Sequence, residues 1–261
     1  FDNFKAAAKS FGFEEYDAPI LETEELYTRK QGEEITQQLY NFEDKGERKV
    51  TLRPEMTPSL ARMVLAKANT LPMPLKWYSI PQCWRYERMQ RGRLREHYQW
   101  NMDIWGSNGA EAEVELLCAI VNFFERIGVN SSQVGIRVNN RKLLQHVLES
   151  AGINEEQFTP VCIIIDKMDK IPQDVIEEQL SALGLTSENI VLIQSTLGLK
   201  DLKSINETLG DENPAVNELN QVWKLAENYG ITEWLEFDAS VVRGLAYYTG
   251  TVFEAFDKSG T

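Results

Sequence analysis

QCWRYERMQRGRLREHYQWNMDIWG, residues 82–106, is the stretch that decides the fold. It holds three tryptophans, five arginines and one of the two histidines of an otherwise acidic chain. Apolar and polar residues alternate on both sides of Arg91-Gly92-Arg93, which predicts two antiparallel strands joined by an arginine-rich turn. We expect each strand to have one apolar face and one face of polar groups.

The period of two assigns the side chains of this hairpin to faces. On the second strand Gln99, Asn101 and Asp103 share one face, and on the first strand Arg85 and Glu87 do. A solvated face of an ordinary half-buried sheet would show the same alternation. The arginines around the turn favour a phosphate or carboxylate ligand, because the guanidinium fork matches both. The opposite face is expected to bury six side chains: Trp84, Tyr86, Tyr98, Trp100, Met102 and Ile104.

Composition places the chain among ordinary soluble globular proteins. Its 261 residues are 43% hydrophobic and 26% charged, enough for one large domain or two smaller ones. No apolar run is long enough for a membrane helix, and the first residues lack the order of a signal peptide. The chain starts without Met, so we expect a fragment.

Cysteine and histidine usage argues against disulfides and metal. Cys83, Cys118 and Cys162 are odd in number and widely spaced, which favours a reducing compartment. His97 and His146 lack the spacing of a ligand pair, and a lone histidine is more often structural. We predict no metal site built by the protein.

The net charge of −13 is unevenly distributed. Residues 155–236 carry sixteen Asp or Glu against five Lys, whereas residues 76–95 carry six Lys or Arg against one Glu. A cationic island in an acidic chain indicates an anionic ligand at one defined place.

The pattern along the chain predicts an α+β fold with an insertion. Residues 1–154 mix strands and helices, including a helix over residues 57–68 with Thr57 as its N-cap. Residues 155–236 are more acidic and open with an apolar strand, PVCIIID, followed by helices separated by glycines. Residues 237–261 return to strand-rich, aromatic sequence, so the first block resumes there.

Two further segments supply candidate site residues. Glu55 lies between a strand and a capped helix, where it could meet an ammonium group; alternatively it is a first-turn acid worth about 0.3 to 1 kcal/mol. Arg243 lies among aromatic residues, where an unpaired charge would be costly. The alternative for Arg243 is a structural ion pair with Asp238 or Glu254.

Other catalytic signatures are absent from the sequence. It contains no phosphate-binding Gly-rich loop followed by Lys-Ser or Lys-Thr, no dinucleotide fingerprint after a strand and no Gly-x-Ser-x-Gly elbow. Two isolated histidines make Ser-His or Cys-His catalysis a poor fit. An enzyme of this kind would work by positioning and charge neutralisation.

These residues resemble the class II aminoacyl-tRNA synthetases. Arg85-Tyr-Glu-Arg88, the arginine-rich turn and the Gln99 strand are similar to motif 2, and residues 11–19 to the end of motif 1, the dimer element. Leu52-Arg-Pro-Glu55-Met-Thr57 together with residues 242–250, VRGLAYYTG, resembles the histidyl-tRNA synthetase family. Residues 155–236 take the place of that family's insertion domain.

The resemblance implies a six- or seven-stranded antiparallel sheet flanked by helices, binding ATP, with Mg²⁺ carried by the nucleotide, and histidine. The histidine carboxylate would attack the α-phosphate to form histidyl-adenylate, which tRNA would then accept. Chemistry of this kind depends on orientation and electrostatic stabilisation. A homodimer in the cytoplasm, or in an organellar stroma or matrix if a transit peptide was removed, is also implied.

Roles carry over from the family by position. Arg85 matches the arginine on the α-phosphate and carboxylate, and Arg243 the catalytic cation. The weaker matches, Glu87 and Arg93, fall on the ATP side. The positions matching histidine-binding groups are Glu55, Thr57, Arg85, Gln99, Asp103, Arg243, Tyr247 and Tyr248, with Asp103 and Tyr248 facing the imidazole.

The chain also departs from the family pattern. Ala246 stands where the family often has Asp, and the sequence given stops before motif 3 and the anticodon-binding domain. We therefore expect reduced or no activity from this piece alone. Two rivals share the fold: a non-catalytic paralogue that regulates ATP phosphoribosyltransferase, and a synthetase-like sensor domain of a kinase. Joint retention of Glu55, Arg85, Gln99, Arg243 and Tyr248 favours the enzyme.

Overall fold

The computed structural model describes residues 1–29, 36–88, 92–150, 152–165, 168, 171–210, 212–241 and 249–260. The chain divides into two compact units, Phe1–Ala112 and Glu113–Thr261. The predicted domain boundaries after residues 154 and 236 both fall inside the second unit and stay predictions. None of the described helices is long and apolar enough to cross a membrane.

The first unit consists of short helices and short strands. In chain order they are α1 (Asp2–Ser10), β1 (Glu14–Glu15), β2 (Leu21–Thr23), α2 (Glu25–Thr28), β3 (Tyr40–Glu43), β4 (Lys49–Leu52), α3 (Thr57–Ala66), β5 (Leu75–Ser79), β6 (Gln82–Trp84), β7 (Glu96–Tyr98) and β8 (Asn101–Trp105). Strands β2, β4 and β3 form one antiparallel sheet. Strand β5 lies between β1, to which it is parallel, and β8, to which it is antiparallel.

The predicted hairpin is confirmed, in two successive ladders. Strand β5 pairs with β8, so that Trp77 lies opposite Asp103. Strand β6 pairs with β7, so that Cys83 lies opposite His97. The ladder is interrupted at Pro81, which has no N–H to donate, although its carbonyl oxygen accepts from the Gln99 N–H at 3.1 Å.

The expected burial of the apolar face of the hairpin is only partly correct. Tyr86 and Tyr98 are 54% and 53% exposed, and Met102 and Ile104 are half-buried. Tyr86 lies under the Arg95 guanidinium, 4.0 Å from the ring centroid, and Tyr98 contacts the equally exposed Phe1. These rings are covered at the surface by single side chains, so alternation alone overstated their burial.

Helix α3 is fixed by its apolar stripe. Met56, Leu60 and Val64 are buried in one cluster with Tyr16 and Leu75. The predicted N-cap was wrong by one residue, because Met56 is the N-cap and Thr57 is already helical. Pro58 fits the first turn, where no intrahelical N–H bond is needed.

The second unit combines one three-stranded sheet with a helical part. Its elements are α4 (Ala110–Arg126), β9 (Val134–Asn140), α5 (Arg141–Ser150), α6 (Glu155–Ile165), α7 (Gln173–Ala182), α8 (Ser187–Leu197), α9 (Leu202–Leu209), α10 (Pro214–Tyr229), a 3₁₀ turn (Thr232–Trp234), β10 (Leu235–Phe237) and β11 (Thr251–Asp257). Strand β9 lies between β10, to which it is parallel, and β11, to which it is antiparallel.

The prediction of a strand at PVCIIID was wrong, because residues 160–165 belong to helix α6. Val161, Cys162, Ile164 and Ile165 are buried, a helical spacing of one, three and four. A short apolar run does not distinguish a buried helix from a buried strand. The helix packs into a core formed with α5, α7 and α8.

The α+β class is confirmed by the helices and mixed sheets. Hydrogen bonds divide the described strands into four sheets of two or three strands, whereas the resemblance implied one sheet of six or seven. The break at Pro81 accounts for one of these divisions.

Candidate active site

The corner between β4 and α3 is held by Arg53, which is 3% exposed. Its Nε atom donates to the Gln82 carbonyl oxygen at 2.9 Å, and Nη1 donates to the Ala18 carbonyl oxygen at 2.7 Å and to Asp17 at 3.1 Å. Its own carbonyl oxygen accepts from the Trp84 N–H. This clamp joins the corner, strand β6 and the segment before β2, and thereby fixes where Glu55 lies.

Arg85 approaches the same corner from the hairpin. Its Nε atom donates to the Pro54 carbonyl oxygen at 2.9 Å, and its backbone N–H donates to the Arg95 carbonyl oxygen across the hairpin. In the part of the chain that is described, no partner is seen for its Nη atoms. The structure therefore brings Arg85 beside Glu55, which is 5% exposed.

Register places the polar residues of both strands on one face. Cys83 lies opposite His97, and by the period of two Arg85 and Gln99 share that face. The Cys83 thiol donates to the Gln99 side-chain oxygen at 3.6 Å. Asp103 follows four residues later, beyond the break at Pro81, in the ladder of β8 with β5. That Asp103 shares a face with Gln99 stays a prediction from the period of two.

Charges around Cys83 confirm that these groups are close. Burial raises the pKa of the Cys83 thiol to about 11. The positive charges of Arg53 and Arg85 lower this pKa, and the negative charge of Glu55 raises it. All three charges are thus near enough to act on the thiol, which stays protonated at neutral pH.

His97 occupies a supporting position on this face. Burial lowers the pKa of its imidazole, and the nearby positive charge of Arg85 lowers that pKa further. The neutral form of His97 is therefore favoured at pH 7.

Asp103 and Tyr16 form the far part of the site. Burial raises the pKa of the half-buried Asp103 to about 6. Burial also raises the pKa of the Tyr16 phenol, and the negative charge of Asp103 raises it further. The Tyr16 ring stacks on Trp77, with centroids 5.6 Å apart, and Trp77 is the registered neighbour of Asp103.

The remaining predicted positions of the first unit lie around this centre. Thr57 is half-buried at the start of α3. Glu87 and Arg93 form an ion pair of 3.0 Å near the tip of the hairpin, where Arg93 is 60% exposed. Glu87 also accepts, through its carbonyl oxygen, from Arg95 Nε at 3.2 Å.

Arg243, Tyr247, Tyr248 and Ala246 lie outside the described residues. Asp238 is one of the two alternative partners suggested for Arg243. Its carboxylate already forms ion pairs with Arg137 at 3.4 Å and with Lys200.

The described residues on both sides of 242–248 are attached to the end of β9. Asn139 Nδ2 donates to the carbonyl oxygens of Ala239 at 2.9 Å and Val241 at 3.1 Å. On the other side, the Arg141 N–H donates to the Gly250 carbonyl oxygen at 2.9 Å.

Three residues of this region were missed as functional candidates. Arg53 lies inside a motif but acts through backbone carbonyls, which leave no sequence signal. Cys83 lies two residues before Arg85, so the alternation along the strand could have placed both on one face. Tyr16 reaches the site only because β1 pairs with β5, which the sequence did not indicate.

A cleft of about 410 Å³ is lined by Phe1, Lys5, Tyr16, Arg53 and Ser79 among others, so it shares Tyr16 and Arg53 with this region, but its lining does not include Glu55, Arg85, Gln99 or Asp103. Its cations are paired, Lys5 with Glu15 at 2.8 Å and Arg53 with Asp17 at 3.1 Å. Within the described residues, no three or more His, Cys, Asp or Glu side chains come together to hold a metal ion.

The arrangement suits a small ligand that carries both charges. A half-buried guanidinium with free Nη donors can bind a carboxylate or phosphate in a bidentate manner. The buried carboxylate of Glu55 can hold an ammonium group. Asp103 lies further along the second strand of the hairpin. The family model for histidyl-tRNA synthetase matches residues 2–261. The chain belongs to the histidyl-tRNA synthetase family.

Curated relatives of this family match over the whole chain. A histidine–tRNA ligase of Arabidopsis thaliana, named chloroplastic/mitochondrial, is 53% identical over 260 residues, covering 100% of this chain and 54% of the relative. A histidine–tRNA ligase of Opitutus terrae is 43% identical, covering 98% of this chain and 60% of the relative. The chain thus spans between half and about three fifths of these histidyl-tRNA synthetase family members.

Solved structures agree with the fold. The histidyl-tRNA synthetase of Nostoc sp. PCC 7120 superposes with a TM-score of 0.79 at 27% identity, covering 97% of this chain and 59% of that one. A protein of Bacillus halodurans C titled ATP phosphoribosyltransferase regulatory subunit/histidyl-tRNA synthetase gives a TM-score of 0.83 at 20% identity, over 99% of this chain and 67% of that one. The second likeness concerns the fold alone.

Proposed function

We propose that the protein containing this chain is a histidine–tRNA ligase. It activates histidine with ATP to histidyl-adenylate and transfers the histidyl group to tRNA. The observation that supports this best is the convergence of Glu55, Arg85 and Gln99 around Cys83, since Arg85 is bonded to the carbonyl next to Glu55. The relatives named histidine–tRNA ligase support the same reaction.

In the first step, an oxygen of the histidine carboxylate attacks the α-phosphorus of ATP and the bond to pyrophosphate breaks. Arg85 binds the carboxylate and the α-phosphate, because its bond to Pro54 uses only the Nε donor and leaves the Nη donors to this task. Arg243 stabilises the charge that develops at the α-phosphate. Glu87 and Arg93 contact the nucleotide, and Mg²⁺ arrives with the phosphates.

The amino end of histidine is held by Glu55, Thr57 and Gln99. The imidazole is recognised by Asp103 with Tyr248, and Tyr247 lies beside them. An imidazole needs partners on both ring nitrogens, and a site that leaves a carboxylate and a phenol unpaired rejects other substrates strongly. Asp103 suits this role because it is half-buried and because the period of two predicts one face for Asp103 and Gln99.

The wider organisation is proposed from the same resemblance. Residues 1–154 and 237–261 form the catalytic domain, and residues 155–236 form an acidic insertion. The full-length protein acts on tRNA as a homodimer. We place it in an organelle, the stroma or matrix, because the Arabidopsis relative is named chloroplastic/mitochondrial; imaging of a fluorescent fusion of the full-length protein checks this.

The decisive experiment is histidine-dependent exchange of labelled pyrophosphate into ATP by the full-length protein. We expect exchange with histidine and not with other amino acids, and loss of nearly all exchange in Arg243→Ala. Activity with a different amino acid would reassign the specificity. An absence of exchange with any amino acid would favour the regulatory paralogue of ATP phosphoribosyltransferase.

A further inference from the structure

Tyr16 has a polar group that its surroundings do not use. The residue is 9% exposed, and within the described part of the chain its buried hydroxyl has no hydrogen-bond partner. The ring alone meets the packing requirement, because it stacks on Trp77 at 27° and contributes to the cluster around α3. Phenylalanine would fill the same space without an unsatisfied donor, so the hydroxyl needs an explanation.

The sheet places this hydroxyl near one functional group. The β1–β5–β8 order puts β5 in the centre, with Trp77 opposite Asp103. The Tyr16 N–H donates to the Tyr78 carbonyl oxygen at 3.0 Å, which continues the pairing of β1 with β5. Tyr16 follows β1 directly, and its ring stacks on Trp77, the residue that lies opposite Asp103 in the next ladder.

Electrostatics agree with this placement. Apart from burial, the charge of Asp103 is the largest influence that raises the pKa of the Tyr16 phenol. Burial is the cause of the raised pKa of Asp103. Among the described residues, the Tyr16 hydroxyl has no acceptor, and no hydrogen bond to the Asp103 carboxylate lowers its pKa.

We propose that Tyr16 is a positioning residue for Asp103: when histidine is bound, the Tyr16 hydroxyl donates to the Asp103 carboxylate and keeps it ionised and directed at the imidazole. This inference rests on the proposed function. Bound histidine would place polar groups next to Asp103, and under these conditions the Asp103 carboxylate and the Tyr16 hydroxyl would form a hydrogen bond. A charge-assisted hydrogen bond of this kind is stronger than a neutral one. The reason for a tyrosine at position 16 is then binding, not packing.

The test uses Tyr16→Phe in the full-length protein. We expect histidine to bind about tenfold more weakly, while the ligand-free protein unfolds at the same or a higher temperature because an unsatisfied hydroxyl has been removed. In the pH profile of kcat, which reports the enzyme–substrate complex, the acidic limb should move to higher pH. In the pH profile of kcat/KM, which reports the free enzyme, the acidic limb should stay where it is.

Tyr78→Phe is the matched control. It removes a phenol hydroxyl from the neighbouring strand β5, at the residue whose carbonyl oxygen accepts from the Tyr16 N–H; this hydroxyl donates to Glu15 at 3.1 Å. We expect it to leave histidine affinity unchanged. A double-mutant cycle completes the test, because Tyr16→Phe should have no further effect on histidine binding in an Asp103→Asn background.

The outcomes separate the two claims. If the wild-type protein fails to bind histidine, the proposed function and this inference both fall. If it binds histidine and Tyr16→Phe does so equally well, or if the effects of Tyr16→Phe and Asp103→Asn simply add, the positioning role of Tyr16 is overturned while the proposed function stands.

Discussion

Arg85 and Pro54 are joined by a hydrogen bond of 2.9 Å between the arginine Nε atom and the proline carbonyl oxygen. The two residues lie in different strand systems, so this bond connects the hairpin to the corner that carries Glu55. It also orients the guanidinium, because one donor is committed to the backbone and the Nη atoms remain for a ligand. The site therefore depends on a planar fork at position 85.

Arg85→Lys should lose histidine-dependent pyrophosphate exchange by about 10²- to 10³-fold, the usual effect of removing one donor to a developing charge. A lysine ammonium is a point charge without a planar fork, so it cannot bond the Pro54 carbonyl and also present two parallel donors to a carboxylate or phosphate. Arg48→Lys is the control, since Arg48 is 78% exposed and pairs only with Asp44 among the described residues. Equal activity of Arg85→Lys and wild type would contradict the proposed role.

Glu55→Gln should raise the KM for histidine by about 10- to 100-fold, because a charged partner of the substrate ammonium is lost. Steady-state aminoacylation by the full-length protein measures this. Glu22→Gln provides a comparison, because Glu22 is equally buried but pairs with Arg62 and accepts from Ser59 at 3.2 Å. We expect Glu22→Gln to lower stability and keep the KM, and the reverse pattern would exclude Glu55 from binding.

Asp103→Asn should stabilise the ligand-free protein at pH 7.5. Burial raises the pKa of Asp103 to about 6, above the ordinary value of 3.8. Between these two pH values the folded protein holds a proton on Asp103 that the unfolded chain has lost. Ionised Asp103 therefore costs stability above pH 6, about 2 to 3 kcal/mol at most. The gain from asparagine should shrink as the pH falls through 6 towards 4.

Urea unfolding followed by tryptophan fluorescence at pH 7.5 and pH 4.5 checks this dependence. Asp44→Asn should behave in the opposite way, because its hydrogen bonds with Arg48 and Gly46 lower the pKa of Asp44. The stabilisation from ionised Asp44 is present above the ordinary pKa of an aspartate. It disappears as the pH falls through the lowered pKa that Asp44 has in the folded state. A loss of stability in Asp103→Asn at pH 7.5 would refute the expected burial cost.

Asp238→Asn should destabilise the second unit by about 1 to 3 kcal/mol. Burial alone would raise the pKa of Asp238, but hydrogen bonds from Lys200 and Ser240 outweigh burial and lower it. The stabilisation is thus present at neutral pH and is lost as the pH falls through the lowered pKa. Thermal unfolding at pH 7 measures the change.

The control for this prediction is Asp201→Asn. Asp201 caps α9 by accepting from the Ser204 N–H at 2.8 Å, and asparagine caps about equally well. We expect its unfolding temperature to stay close to that of the wild type. A similar loss in both variants would mean that the Asp238 contacts have no special weight.

Elements with a strong local signal could be predicted from the sequence. Helix α3, Thr57–Ala66, is found within the range expected, because hydrophobic periodicity is a local property. The shared face of Gln99 and Asp103 also follows from parity alone. The strand predicted at PVCIIID was wrong because a short apolar run suits a buried helix and a buried strand equally.

Contacts between distant segments could not be predicted. The bond from Arg85 to Pro54 depends on how the hairpin meets the corner after β4, and the approach of Tyr16 depends on the parallel pairing of β1 with β5. Arg53 is fixed by carbonyl oxygens, which every residue possesses. The resemblance supplied the roles of Glu55 and Arg85, whereas their supporting residues emerged only from the structure.

The three cysteines give the protein natural reporters of local opening. Cys83 belongs to the first unit, Cys118 and Cys162 belong to the second, and all three are buried. Burial raises the pKa of each thiol to about 11, so alkylating reagents meet a protonated, shielded sulfur. The labelling rate at Cys83, read by mass spectrometry of peptides, would follow transient exposure of the proposed histidine site without any introduced probe, and protection of this thiol by substrate would register occupancy directly.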